Sequence, residues 1–216
     1  MYWRLIDKSN TKPPTTGGYT AWKPELAEEG FHQCVYCAID DNTFGGIRNY
    51  HVEHYRPKSL ARFKHLKDEF SNLFYACCVC NGFKGDDWKD NDIDALGMLG
   101  YPDPSRIDYA DLFEVDEITG LVTGKVVSSK YIAKRLCLNR PQLISYRKRR
   151  TIDRKREEAR AQLDFQVVQL LAIVRGGDMS GLDFVQEAYN AISRVMECLE
   201  QLQRTTPYSA DQTKRS

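Results

Sequence analysis

The sequence predicts an α+β protein, with a small metal-stapled unit of two short strands and a helix followed by a C-terminal α-helical hairpin. Three observations predict it. Two C-x-x-C pairs, Cys34/Cys37 and Cys77/Cys80, bracket a segment with short strand-like patterns. An apolar period of 3.6 residues starts at about Pro141. Gly176-Gly177 cuts that period into two stripes.

The 216 residues suit one domain with a helical extension. With 42% apolar and 28% charged residues, the composition is that of a folded chain and not a disordered one. No apolar run approaches the ~18–20 residues of a membrane span. The N-terminus, Met1 to Asp7, lacks an apolar core and a small-residue cleavage site. A cytoplasmic protein is expected, in which seven cysteines are not a disulfide framework.

Taken in order, residues 1–24 read as an N-terminal arm, irregular over 8–20 because of Pro13, Pro14, Gly17 and Gly18. Residues 25–90 form the metal-stapled domain. Within it, Ile47, Tyr50, Val52 and Tyr55 suit a strand ended by Pro57, Asn72 to Ala76 a second strand, and Cys80 to Lys84 the start of a short helix. Residues 91–130 are an acidic connector with a β-hairpin: Leu112 to Val115, a turn at Thr119-Gly120, then Leu121-Val122 and Val126-Val127. Residues 131–204 are helical. Ile152, Ala159, Leu163, Val167, Leu170, Leu171 and Val174 make one stripe, and Val185, Ala188, Ile192, Val195, Leu199 and Leu202 another, with Ser180 placed as an N-cap. Residues 205–216 read as a flexible tail.

The formal net charge is only +1, but charge is segregated. Residues 48–67 hold six Lys/Arg against Glu53, residues 86–117 hold eleven acids against Lys89 and Arg106, and residues 134–160 carry a net +8. A basic block is either a footprint for phosphates or a solvated helix face.

Two C-x-x-C pairs can converge on one Zn²⁺ through four thiolates. A closed sphere of four has no open position, so such a zinc is structural and staples a region too small to fold on its core alone. Cys78, Cys137 and Cys198 are expected as buried apolar thiols.

Between the pairs lies His51-Val52-Glu53-His54-Tyr55-Arg56-Pro57-Lys58, then Asn72-Leu73, Asn81 and Lys84-Gly85. Over about 50 residues this resembles the HNH endonuclease family, a ββα-metal element in a zinc-clamped treble clef. His54, after an acidic residue and three before Pro57, resembles the first His. Asn72 resembles the central Asn, Asn81 the last letter, and Lys84 the Lys of the trailing N-x-x-K-G. The resemblance implies hydrolysis of DNA phosphodiesters with a divalent cation, Mg²⁺ or Mn²⁺, held by the Glu53 carboxylate and the Asn81 amide oxygen. His54 is then the general base, a role suited to an imidazole neutral near pH 7. Asn72 holds the loop and orients the base. Arg56, Lys58 and Lys84 meet phosphates. His51 is open to three readings: a further metal ligand, the base itself, or a structural histidine.

The wider H-V-E-H-Y-R-P-K pattern, with helices downstream, is similar to the PtuB-type HNH subunit of Septu and retron-linked antiphage defence systems. That resemblance implies an ATPase partner, since this sequence contains no Walker A motif. One such site cuts one strand, so double-strand cutting needs a homodimer or repeated nicking. Two rival readings stand beside it. A non-catalytic zinc module would bind nucleic acid or protein. A zinc deaminase would use His51-Val52-Glu53 with Cys77 and Cys80, but the position before Cys77 is Ala76 where that signature has Pro.

Overall fold

A computed structural model describes residues 2–9, 13–89, 96–175 and 181–205. These form two compact units, residues 1–147 and 148–216, divided within a long helix. Among the described residues no helix is long and apolar enough to cross a membrane.

The first unit is a mixed helix and sheet structure with two small sheets. Its centre is an antiparallel pair, β1 (Tyr50–His54) and β2 (Leu73–Cys77). The register sets Tyr50 opposite Cys77 and His54 opposite Leu73. β2 is buried throughout, as its continuous apolar run demands. Helix α2 (Cys78–Lys84) follows directly, its N-terminus capped by the Cys77 side chain. Helix α1 (Lys23–Glu29), with Pro24 in its first turn, buries Leu26 and Ala27. The expected strand–loop–strand–helix order over 47–84 is therefore present.

The arm is not a loose appendage. Trp3 and Ile6 are buried. Trp3 stacks on Phe113, and its Nε1 donates to the Tyr36 carbonyl at 3.0 Å. An indole in an apolar site needs a partner for its N–H, and the backbone supplies it. Arm, metal region and connector thus share one core, which ends at residue 147.

In the connector, short helix α3 (Tyr109–Leu112) leads into β3 (Phe113–Val115), which pairs with β4 (Val122–Gly124). Asp116 Oδ1 accepts from Ile118 N and Thr119 N, and Gly120 takes φ +73°, so the turn sits where expected. The second strand ends earlier than its sequence suggests. Val126 is the N-cap of α4 (Val127–Arg135), and Ser129 Oγ accepts from Val126 N at 3.0 Å. A serine three residues after the cap outweighs the β propensity of two valines.

Helix α5 (Pro141–Arg175) opens at the expected proline. Helix α6 (Gly181–Thr205) belongs with residues 148–175 to the second unit, where Arg194 Nε donates to Gln166 Oε1 at 2.9 Å. The expected stop at Gly176-Gly177, the Ser180 cap and the tail beyond 205 lie outside the described residues. The stripes require correction in part. Val167, Leu171 and Val174 on α5 are exposed, as are Val185, Ile192 and Leu199 on α6. The rest of each stripe lies on the covered side, Ala159, Leu163 and Leu170 on α5 and Ala188, Val195 and Leu202 on α6, where Ala191 and Cys198 are buried beside them. α6 is apolar on two adjacent faces, and the periodicity alone does not say which one meets α5.

Candidate functional site

The four cysteines of the two C-x-x-C pairs are all buried, and their sulfurs lie within 4.8 Å of one another. Cys34 and Cys37 sit on a turn in which Ala38 N donates to the Cys34 carbonyl at 2.8 Å and Ala38 takes φ +55°. Cys77 and Cys80 span the junction of β2 and α2. Four ligands at about 2.3 Å in a tetrahedron stand about 3.8 Å apart. The Cys37 and Cys77 sulfurs are 3.8 Å apart. The cluster can hold a metal ion, and its donor set and spacing fit zinc. Arg140 lies against it, with Nη2 3.5 Å from Cys80 Sγ and 3.8 Å from the sulfurs of Cys37 and Cys77. Of the remaining cysteines, Cys198 is buried as expected, Cys78 is half-buried and Cys137 is exposed. Cys137 follows the last turn of α4 with φ +48°, outside the core that Leu136 and Leu138 enter.

On β1, alternation turns His51 and Glu53 to one side, where α2 meets them. His51 is exposed, and its Nδ1 lies 2.9 Å from Asn81 Nδ2. Glu53 is buried. Its Oε1 accepts from Tyr36 OH at 3.0 Å and pairs with Lys84 Nζ at 2.5 Å. Burial pushes the Glu53 carboxyl above its ordinary range, against the pull of Lys84. Lys84 is itself fully buried and also donates to the His54 carbonyl at 3.0 Å. This corrects the expectation that Lys84 meets phosphate, because a cation without solvent access neutralises an internal carboxylate instead.

His54 ends β1. Its Nε2 lies 2.9 Å from the Lys67 carbonyl, and the Tyr19 ring meets it edge-on at 4.8 Å. A carbonyl only accepts, so Nε2 carries the proton and Nδ1 keeps its lone pair. Burial lowers the His54 pKa and outweighs the bond to the Lys67 carbonyl, which favours the charged ring; the charges of Lys58 and Lys84 also push it down, so the neutral ring is favoured at pH 7.

Asn72 holds the loop, and its described bonds go to Arg56 and Leu66 rather than to His54. Its Oδ1 accepts from Arg56 N at 2.9 Å, and its Nδ2 donates to the carbonyls of Arg56 at 3.1 Å and Leu66 at 3.3 Å. One amide closes the 56–66 loop at both ends. Of the cations in that loop, Lys58 donates to Tyr19 OH at 2.5 Å and sits over its ring, while Arg56 and Arg62 lie over Phe63.

The structure thus joins His51 with Asn81, Glu53 with Lys84, and Asn72 with the loop that carries Arg56. His54 turns to the Lys67 carbonyl, so the histidines do not share a partner. The deaminase reading needs His51 to join Cys77 and Cys80. It pairs with Asn81, and the sulfurs already form a set of four. Three contributors went unread in the sequence. Tyr36 was signalled by lying inside the first C-x-x-C. Tyr19 and Arg140 had no local signal.

Comparison with known proteins brings no match, whether to a family model, a curated protein or a solved structure.

Proposed function

We propose that the chain is a metal-dependent HNH endonuclease that hydrolyses DNA phosphodiesters, with a structural zinc at the four cysteines. The observation that carries this reading is the state of His54. Its Nε2 lies on a backbone carbonyl, which fixes the proton there, and burial favours the neutral ring. That is the form required of a base that deprotonates water through Nδ1.

The residues for a second cation lie on the α2-facing side of β1. Glu53 would offer its carboxylate, of which Oε1 also pairs with Lys84, and Asn81 would offer its amide oxygen as a neutral ligand. Such donors suit Mg²⁺ or Mn²⁺. His51, whose Nδ1 meets the Asn81 amide nitrogen, is the candidate for a third ligand. When bound, a hard cation stabilises the charge of the leaving oxygen. The chain's part is separate. His54 Nδ1 takes the proton of water as its oxygen bonds to phosphorus. The P–O bond to the leaving group breaks, and that oxygen departs with the electron pair. Asn72 holds the loop so that Arg56 and Lys58, with exposed Lys64 and Lys67, face the phosphates. The resemblance to defence nucleases supports a cytoplasmic effector acting with an ATPase partner.

The test is nicking of supercoiled plasmid by the purified chain with Mg²⁺ or Mn²⁺, beside His54→Ala and an EDTA control. Metal-dependent nicking lost in His54→Ala is expected, with zinc content unchanged. Glu53 Oε1 being spent on Lys84 favours one alternative, a zinc module that binds DNA without cutting it. Binding without nicking, indifferent to His54→Ala and to addition of an ATPase partner, would establish that alternative.

A further inference from the structure

Within the second unit, the side of α6 that is covered contains Ala188, Ala191, Val195 and Cys198, spaced by three and four residues. On α5 the matching set is Ala159, Leu163, Leu170 and Ile173. The Gln166–Arg194 bond fixes the level at which the two sets meet.

α6 carries a second seam of the same spacing. Val185, Tyr189, Ile192, Met196 and Leu199 follow one another at steps of four and three, and each is 39–66% exposed. That is a coiled-coil repeat without a facing helix among the described residues. Charge is kept from it: Asp183, Glu187, Arg194 and Glu197 fall at the outer heptad positions, and the flanking positions hold Gln186, Ser193 and Glu200. α5 adds Val167, Leu171 and Val174, 37–56% exposed. Each of these eight lies one position C-terminal to a covered residue. In an antiparallel pair, that step turns both sets to the same side of the hairpin.

We propose that this face binds a second copy of the chain, completing a four-helix bundle from two hairpins. The register argues for it. The level set by Gln166 and Arg194 also aligns Val174 with Val185, Leu171 with Tyr189 and Val167 with Ile192. A copy turned about an axis along the helices lays its α5 on the outer seam of this α6, and its α6 on this α5. The same apolar rows meet twice, as a closed two-fold interface requires. Neighbouring helices are then antiparallel, as in up-down bundles. The size also fits. Eight half-exposed side chains of this bulk leave on the order of 700 Å² open, against the ~800 Å² per partner of a standard stable interface.

The test is sedimentation equilibrium of the full-length, zinc-loaded chain at about 10 μM. A mass near twice 24.9 kDa is expected. Ile192→Glu, at a half-exposed position, is expected to weaken association by roughly 100-fold or more with helical content unchanged by circular dichroism. Tyr189→Lys is read in its place should Ile192→Glu lose helix. A wild-type chain monomeric at about 100 μM overturns the proposal and leaves the face to a different protein. A dimer that both variants retain overturns it too, by placing the interface elsewhere.

Discussion

Lys84, fully buried on α2, reaches Glu53 on β1 and pairs with its Oε1 at 2.5 Å. Removing one partner strands a charge in the core, which costs about 3–5 kcal/mol. Lys84→Met is therefore expected to lower unfolding free energy by about that amount, measured by urea denaturation. Adding Glu53→Gln should recover much of the loss. If the double variant is no more stable than Lys84→Met alone, the pair is not the source of the effect.

Arg140 approaches three of the four sulfurs. A zinc tetrathiolate carries two negative charges, and a guanidinium against it offsets part of them. Groups outside the ligand set commonly contribute 10- to 100-fold in metal affinity. Arg140→Gln should weaken zinc binding by roughly that factor in competition with a chromogenic chelator. Unchanged affinity would leave Arg140 a packing residue.

Removal of the metal tests the stapling itself. Four buried thiols without a cation hold little reason to stay together, and burial pushes the Cys34 thiol well up from its ordinary value. Strong chelation should lower Tm and flatten the near-ultraviolet signal of the buried tyrosines. Cys80→Ser should reproduce this without chelator. Zinc analysis should give about one ion per chain.

Asn72 makes three hydrogen bonds to the backbone at the two ends of one loop. Asn72→Ala leaves Arg56 N and two carbonyls to find other partners, at about 1–3 kcal/mol. Limited proteolysis should then cut within 56–67 sooner than in wild type. A digestion pattern identical to wild type would mean that other contacts hold the loop.

The pH dependence follows from His54. Its folded pKa is lowered from the ordinary 6.5 by burial first, with Lys58 and Lys84 adding to the shift. The unfolded chain binds a proton near 6.5 while the folded chain still excludes it. The contribution is therefore complete above that value and is lost as pH falls through the folded pKa. Stability should drop between about pH 7 and pH 5 more steeply in wild type than in His54→Gln, read by thermal melts across that range. Equal slopes would place the titrating group elsewhere.

Much of the metal region was legible because its signals are local. A C-x-x-C places two thiols on one turn. The strand, loop, strand and helix between the pairs announce themselves by alternation, by Pro57 and by the run into Cys77. The loop-holding role of Asn72 was legible too. The role of Lys84 was misread, because burial is not a local property. A lysine at the end of a seven-residue helix looks solvent-facing until β1 is packed against it. Part of each helical stripe was misread for a related reason. Two apolar faces on one helix share a period, and only the partner helix shows which is covered.

By itself, the sequence determined the α+β class, the order of elements, the four-thiol cluster and the residues between its halves. Those follow from spacing along the chain, over distances that one turn or one strand spans. Only the tertiary structure decided which polar groups became partners. Tyr19 reaches His54, Tyr36 and Lys84 enclose Glu53, and Arg140 meets cysteines 60 to 103 residues away. Buried charges and donors must be satisfied by whatever the fold brings near. That demand acts through space, and no local pattern in the chain encodes it.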